Sequence, residues 1–177
     1  PGIESQCAPL RQFVLAVEGG PEDLLARLLA QYGEHSVSVE PGASDFAVVT
    51  QLGRRSIIQR APEAEQQALR TLSDLGLRFK PVLGRFRIAG EAALDLLANA
   101  QKRLPSGWQI DLGKTRFALL APVTLSIHVD FSADAFTVQS AFHSGSLSVS
   151  EAQVVEAHRA GRRYLKLAEG FAPPLVV

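Results

Sequence analysis

The clearest hydrophobic pattern in the chain is a strict alternation of apolar and polar residues between positions 123 and 143. A turn-forming segment at 132–135 divides this stretch into two halves. Placing Phe131 opposite Phe136 makes one face of the pair apolar throughout, and such cross-strand contacts stabilise a sheet and fix its register. The sequence therefore predicts a β-hairpin. In this register the further apolar pairs are Val129 with Val138 and Leu125 with Phe142.

Four other stretches have the period of an α-helix. The first, residues 21–33, begins at Pro21 and ends at Gly33. The second runs from 62 to 75, with Gly76 after it, and the third from 91 to 103, before Pro105. The fourth opens with a capping box of Ser150 and Gln153 and extends to Gly161. The residues expected on the inner faces are Leu24, Leu25, Leu28, Leu29 and Tyr32, then Ala68, Leu69, Leu72 and Leu75, then Ala93, Leu97, Ala100 and Leu104, and finally Val154, Val155 and Ala157.

Short β-type runs at 46–50, 56–58 and 162–167 complete the pattern. Helices and strands are mixed, and the best-defined strand pair is a hairpin rather than a crossover unit, which favours an α+β fold over a doubly wound parallel sheet. We expect an antiparallel sheet with a central hairpin at about 123–143, packed by four or so helices.

Composition limits the class of protein. With 46% apolar and 20% charged residues the chain is not intrinsically disordered. It has no signal peptide and no apolar run long enough for a membrane span, and its lone Cys7 cannot form an internal disulfide, so we expect a cytoplasmic location without a membrane partner. The chain begins at Pro1 and ends in an apolar tail. We therefore expect a single domain, 1–177, cut from a longer protein; sub-lobes at 1–60 and 61–177 are the alternative.

Motifs that would carry catalysis are incomplete. Gly113-Lys114-Thr115 resembles the end of a phosphate-binding loop, but Trp108 stands where that loop needs its first glycine, so a turn between strands is the expected structure. His128 and His143 share the polar face of the hairpin, but the predicted register separates them by roughly 13 Å, too far to share one zinc ion. No serine elbow is present. We expect this chain not to be an enzyme and to bind no cofactor or metal itself.

The net charge of zero conceals an asymmetry along the chain. Residues 1–53 carry a net charge of −5, residues 54–116 carry +6 and residues 117–177 carry −1. The basic middle third is where an anionic partner such as DNA would be attracted, although a solvated sheet face beside the acidic first third is the favoured explanation. In an extended conformation its arginine–phenylalanine alternation points the cations away from the phenylalanines. The candidate contact residues there are Arg54, Arg55, Arg78, Lys80, Arg85 and Arg87.

The last third also carries a pattern of packing residues. The hairpin contains Asp130-Phe131 and the segment 134–138, the capped helix follows, and Gly161-Arg162-Arg163-Tyr164 then leads into Leu165-Lys166-Leu167 and Glu169-Gly170-Phe171. This order resembles the end of the helicase-associated domain that precedes the motor in bacterial Swi/Snf-type helicases. Ala135 and Glu169 stand where that family often has Trp and Asp.

The resemblance implies a non-catalytic accessory domain of an ATP-dependent DNA translocase. ATP and Mg²⁺ would then bind only in a C-terminal helicase motor outside this chain, and that motor would be one partner. The domain could regulate the motor, contact double-stranded DNA or recruit another protein, and the sequence leaves these open. Arg162, Arg163 and Lys166 are further candidates for contact with DNA or the motor. The rival interpretation is a free-standing protein-interaction module with no motor attached.

Overall fold

The computed structural model describes residues 4–6 and 8–174, which form fourteen strands and four helices. The expected α+β class is confirmed in this broad sense. In chain order the elements are β1 (Glu4–Gln6), β2 (Leu10–Gly20), β3 (Asp23–Tyr32), β4 (His35–Ser38), β5 (Phe46–Gln51), β6 (Arg54–Gln59), α1 (Pro62–Asp74), β7 (Arg78–Lys80), β8 (Arg85–Ile88), α2 (Glu91–Ala98), α3 (Ala100–Arg103), β9 (Gln109–Thr115), β10 (Val123–Phe131), β11 (Phe136–Ser144), β12 (Leu147–Val149), α4 (Glu151–Arg159), β13 (Leu165–Leu167) and β14 (Gly170–Ala172).

The chain divides into two compact units, Pro1–Arg116 and Phe117–Val177. The first unit contains β1 to β9 with α1 to α3, and the second contains β10 to β14 with α4. The units therefore separate where β9 has ended, whereas the sub-lobes considered from the sequence would separate near residue 60.

The largest sheet of the first unit is built around the antiparallel pair β2 and β3. Its strand order is β7-β8-β3-β2-β9, with β4 also paired to β3, and β9 runs parallel to β2. Every second residue of the central pair is buried, so one face of this sheet forms the core. The buried residues of the two strands are Phe13, Leu15, Val17, Leu24, Ala26, Leu28, Ala30 and Tyr32.

The helix predicted for residues 21–33 is wrong, because this segment is strand β3. Its leucines at 24, 25, 28 and 29 match a helical stripe, but Leu24, Ala26, Leu28, Ala30 and Tyr32 also match a period of two, and pairing with β2 selects the second pattern. Pro21 lies in the turn between the strands. Gly19, at a φ of 98°, is required there, because a Cβ atom at this position would lie 2.6 Å from the carbonyl oxygen of Asp23.

A smaller sheet in the first unit has the order β1-β6-β5. Strands β5 and β6 form an antiparallel pair from Phe46 opposite Gln59 to Gln51 opposite Arg54, which confirms the strands predicted at 46–50 and 56–58. Strand β1 pairs with β6 in parallel.

The second predicted helix is confirmed as α1, and its inward residues include Ala68 and Leu72. The third is divided at Asn99, where the backbone leaves the helical conformation between α2 and α3. The residues that these two helices bury are Ala93, Leu94, Leu96 and Ala100, so the predicted stripe was correct at positions 93 and 100 and missed positions 94 and 96.

A buried polar network joins β3 to the start of α1. The Tyr32 hydroxyl donates to Glu65 Oε1 at 2.5 Å and accepts from the Ala61 amide at 2.7 Å. Arg60 Nη2 lies 2.7 Å from Glu65 Oε2, and both side chains are 7% exposed. Arg60 also donates to the carbonyl of Ser38 in β4 at 3.0 Å. Burial and the hydrogen bond to the Glu65 carboxylate raise the pKa of Tyr32 to about 12.

The second unit contains the predicted hairpin, β10 and β11, in the predicted register from Val123 opposite Ser144 to Phe131 opposite Phe136. Strand β12 pairs with β11, so the sheet order is β10-β11-β12. The predicted capping box of Ser150 and Gln153 begins α4. The strand expected at 162–167 is confirmed only for β13, which pairs with β14. The core residues of this unit are Val123, Val149, Val154, Ala157, Leu165 and Ala172.

The expected packing of four or so helices onto the hairpin is not confirmed. The core of the second unit draws on one helix, α4, through Val154 and Ala157, and α1 to α3 belong to the first unit. Among the described residues, no helix combines the length and apolar character needed to cross a membrane.

The Tyr32 network predicts a specific loss of stability at high pH. At pH 7, Tyr32→Phe should lower the free energy of unfolding by about 1–3 kcal/mol, because the mutation removes a buried hydrogen bond to a carboxylate. Tyr32 has a pKa of about 12 in the folded chain and 10.0 without the fold. The unfolded chain therefore loses its phenolic proton first, and the stabilisation is complete below pH 10 and is lost between the two pKa values.

The measurement is urea denaturation of both proteins at several pH values. At pH 11 the difference in free energy of unfolding between wild type and Tyr32→Phe should be smaller than at pH 8 by about 1.4 kcal/mol. A difference that stays constant from pH 8 to pH 11 would contradict the raised pKa.

Candidate interaction surfaces

The hairpin of the second unit presents an exposed apolar face. Alternation puts the odd-numbered residues of β10 on the same face as their even-numbered partners in β11. Phe131 is 83% exposed, Phe136 68% and Ile127 61%. The remaining exposed apolar residues of this face are Leu125, Val129 and Val138. We call these six residues the hairpin face.

The base of the same hairpin is packed. Val123 and Val149 are buried, and Phe142, which pairs with both Leu125 and Val149, packs against this core. The apolar alternation therefore continues beyond the part of the sheet that the unit itself covers. Scattered surface hydrophobic residues are ordinary, but a contiguous set on two paired strands indicates an interaction site.

The opposite side of the hairpin is polar and carries both histidines of the two strands. His128 pairs with Gln139 and His143 with Thr124, which confirms the predicted register of the two histidines. His128 Nε2 lies 3.1 Å from Asp130 Oδ1 on the same strand. Among the described residues, no group of three or more His, Cys, Asp or Glu is arranged to hold a metal ion.

Four of the nine predicted contact residues share one face of the first unit's large sheet. Strands β7 and β8 pair Arg78 with Arg87 and Lys80 with Arg85, and this confirms that the cations point away from the phenylalanines. Phe79 and Phe86 lie on the other face with their ring centroids 5.1 Å apart. We call Arg78, Lys80, Arg85 and Arg87 the basic ribbon.

Acidic neighbours neutralise part of the basic ribbon. Arg85 forms an ion pair with Glu18 of β2, and Arg87 forms one with Asp23 at the start of β3. Arg78 donates to the hydroxyl of Ser73 at 2.9 Å. A cavity of about 210 Å³ is lined by both signs of charge, the cations Arg27, Arg85 and Lys114 and the acids Glu18 and Asp111. The surface is therefore less positive than the net charge of residues 54–116 indicates.

The other predicted contact residues lie elsewhere. Arg54 and Arg55 are exposed at the start of β6, in the small sheet of the first unit. Arg162, Arg163 and Lys166 are exposed in the second unit, and Arg162 lies 3.4 Å from Glu156 of α4. Within the first unit the structure brings together the four cations of the basic ribbon, whereas Arg54 and Arg55 lie on the other sheet.

The segment Gly113-Lys114-Thr115 is the end of strand β9 rather than the turn expected from the sequence. Its pairing with β2, Lys114 opposite Glu18 and Thr115 opposite Gly19, explains why the backbone remains extended. Sequence reasoning also missed the role of Glu18 and Asp23. The alternation of Leu15, Val17 and Gly19 with polar or small residues in β2 was the available signal, since it places Glu18 on the opposite face from the core.

Comparison with known proteins finds no matching family model, no matching curated protein and no matching solved structure. The hairpin face excludes water only when another apolar surface covers it. Of the four cations of the basic ribbon, Arg78 and Lys80 are those for which no ion pair with an acid is found in the described residues.

The exposure of the hairpin face predicts that it contributes little to folding. The double change Phe131→Ser and Phe136→Ser should alter the free energy of unfolding by less than about 1 kcal/mol, since only a cross-strand contact is lost. The matched control is Val149→Ala in the same sheet, which removes buried methyl groups and should cost about 2 kcal/mol. Urea denaturation measures both, and equal losses would show that the two phenylalanines support the fold.

Proposed function

We propose that this chain is a non-catalytic accessory domain of a bacterial Swi/Snf-type ATP-dependent DNA translocase, and that it docks on the helicase motor through the hairpin face. The observation that supports this proposal is the hairpin face itself, six apolar side chains on two paired strands that the unit leaves exposed. It lies within the segment whose residue pattern resembles the helicase-associated domain. In this proposal ATP and Mg²⁺ bind to the motor and not to this chain.

The size of the hairpin face agrees with a docking function. Its six side chains are 38% to 83% exposed, and together they present roughly 600 Å² of apolar surface, at the upper end of the patches that monomeric proteins expose. A standard protein interface buries about 800 Å² on each partner. The hairpin face therefore supplies most of the area that one partner needs.

The charges of the hairpin favour a protein over DNA as the partner of the hairpin face. The sequence contains no Lys or Arg between residues 117 and 158, and the hairpin carries Asp130 and Asp134. A surface without cations, on a hairpin whose only charged residues are two acids, does not attract a phosphate backbone. The hairpin face therefore fits an apolar protein surface, which the motor provides in this proposal and an unrelated protein provides if the chain is a free-standing interaction module.

Contact with duplex DNA is a second function, favoured by a different observation. The basic ribbon places four cations on one face of two paired strands, and cations of this kind hold a phosphate backbone without reading its sequence. Arg85 and Arg87 already pair with acids, so Arg78 and Lys80 supply most of the attraction in this proposal.

The docking proposal is tested by DNA-stimulated ATP hydrolysis in the parent protein that contains the motor. Replacing Ile127, Phe131 and Phe136 by Ser should change the stimulated rate by severalfold, because docking can no longer bias the motor. The matched control is the double change Phe46→Ser and Val48→Ser, which removes side chains of similar exposure, 58% and 66%, from β5 of the first unit.

Two results would contradict the docking proposal. One is an unchanged ATPase rate in the hairpin variant when the folded fraction is also unchanged. The other is a parent gene that encodes no motor. A motor would be recognised by a phosphate-binding loop followed by an acidic Asp-Glu box, and without one the protein-interaction module would become the proposed function. A triple change of Arg162, Arg163 and Lys166 to Ser tests separately whether these cations contact the motor.

The DNA proposal predicts binding that weakens steeply with salt. Arg78→Glu with Lys80→Glu should reduce affinity for a duplex at low salt by about tenfold or more and should flatten the dependence on salt concentration. The matched control is Arg54→Glu with Arg55→Glu, the same charge change on the small sheet. Fluorescence anisotropy with labelled duplex measures both, and equal effects of the two pairs would show attraction by overall charge instead of by the ribbon.

A further inference from the structure

The outer edge of β10 has unused hydrogen-bonding groups. In the sheet order β10-β11-β12, strand β10 is at the edge. The amide of Val123 donates away from β11, to the carbonyl of Pro173 at 2.9 Å. Bonded and non-bonded pairs alternate along an antiparallel ladder, so Leu125, Ile127 and Val129 also direct their amide and carbonyl groups outward. Beyond Val123, no strand in the described part of the chain pairs with this edge.

Two side-chain contacts support this assignment of bonded and non-bonded pairs between β10 and β11. The hydroxyl of Thr124 lies 3.3 Å from the carbonyl of His143, and that of Ser126 lies 3.3 Å from the carbonyl of Ala141. A carbonyl oxygen is that close to its cross-strand partner only in a bonded pair. The even-numbered residues of β10 therefore bond to β11, and the odd-numbered residues face the open edge.

Natural proteins usually protect an open edge with lysines, a proline, a bulge or a very short strand. Strand β10 is nine residues long and contains no Lys, Arg or Pro. Its pairing with β11 continues without a register shift from Val123 to Phe131. An edge that lacks these protective features and alternates apolar and polar residues is a template for another strand.

We propose that the edge of β10 pairs with β10 of a second copy of this chain, antiparallel and centred on Ile127. In this register Ile127 faces its own counterpart across the two-fold axis, and Leu125 faces Val129 of the other copy. The outward groups of these three residues on each chain then form backbone hydrogen bonds. The ladder ends at Val123, whose amide already donates to Pro173.

The charges of β10 fit a second copy in this register. The strand has one acid, Asp130, and no Lys or Arg. Pairing centred on Ile127 places Asp130 opposite the hydroxyl of Thr124 of the other copy, and His128 opposite Ser126. No like charges meet, although directly opposed like charges destabilise a sheet. A two-fold axis that makes the same patch meet itself is the commonest arrangement of soluble dimers.

This dimer uses the edge of β10 and does not depend on the proposed docking of the hairpin face. The backbone edge lies in the plane of the sheet, whereas the hairpin face is one of its two surfaces. Pairing makes the two hairpin faces continuous across the two-fold axis. The dimer and the docked motor are therefore separate interactions and can be tested separately.

Charge changes at Thr124 test the register in both directions. Thr124→Asp places an acid opposite Asp130 twice in each dimer and should weaken dimerisation by about tenfold, whereas Thr124→Lys creates two opposite-charge pairs and should strengthen it by a similar factor. The matched controls are Gln139→Asp and Gln139→Lys on β11, which change net charge equally but lie one strand from the interface. Sedimentation equilibrium of the 177-residue chain measures the dissociation constants, and circular dichroism confirms that each variant is folded.

Cross-linking tests the same register by distance. In the proposed dimer Ser126 and His128 of different copies form a non-bonded pair with Cα atoms about 4.5 Å apart, a separation that a disulfide spans. A mixture of Ser126→Cys and His128→Cys chains, each with Cys7→Ser, should form a disulfide-linked dimer on oxidation. A mixture of Thr137→Cys and Gln139→Cys chains, with cysteines on β11, should not.

Three results would overturn the proposal. The chain could remain monomeric at every concentration reached. This result would overturn the proposal even if an unrelated strand-forming peptide binds to the edge. The chain could dimerise with an affinity that the Thr124 and Gln139 variants change equally. It could also dimerise without the disulfide between positions 126 and 128. Opposite shifts for the two Thr124 variants together with that disulfide would establish the edge-paired dimer.

Discussion

A buried carboxylate holds the first unit together. Glu65 is 5% exposed, and burying a carboxylate costs free energy unless its charge is paired and its oxygens are hydrogen-bonded. The Arg60 guanidinium supplies the opposite charge, and the Tyr32 hydroxyl supplies a second hydrogen-bond donor to the Glu65 carboxylate. Arg60 follows β6 of the small sheet, Tyr32 ends β3 of the large sheet, and Ser38 of β4 accepts from Arg60. One ion pair thus fixes two sheets and the start of α1 in a single arrangement, and this arrangement supports the strands that carry the basic ribbon.

The second unit is organised differently, because its core is small and its longest strands extend beyond it. Val123 and Phe142 lie at the packed end of the hairpin, while Phe131 and Phe136 at the other end are exposed. Apolar surface that does not support the fold is available for a partner. One hairpin therefore offers two of the proposed interaction surfaces, its face for a motor and its edge for a second copy of the chain. The third proposed surface, the basic ribbon of the first unit, is for DNA.

Secondary structure is predicted most reliably from the sequence where the apolar residues fit only one period, either that of a helix or that of a strand. Residues 123–143 alternate strictly, so both the hairpin and its register were predictable. Residues 21–33 fit two periods at once, and the choice of β3 depended on β2, which the sequence analysis had not assigned. The ion pairs of Arg85 with Glu18 and Arg87 with Asp23 join residues far apart in sequence, so charge counting along the chain could not find them. The exposure of the hairpin face was also unpredictable, because alternation shows that a strand has an apolar face but not what covers it.

The parallel pairing of β2 with β9 has a consequence for the order of folding. Val14 pairs with Gln109, whereas the pairing of β2 with β3 is closed by a turn of two residues. Contacts between residues distant in sequence form slowly, because the entropy of closing the intervening loop is lost before the contact is gained. On the ribosome the β2–β3 hairpin can therefore form early, but the other edge of β2 has to wait for β9, nearly a hundred residues later. During that interval β2 is itself an open edge, and an unpaired strand edge exposes the nascent first unit to aggregation until β9 is synthesised.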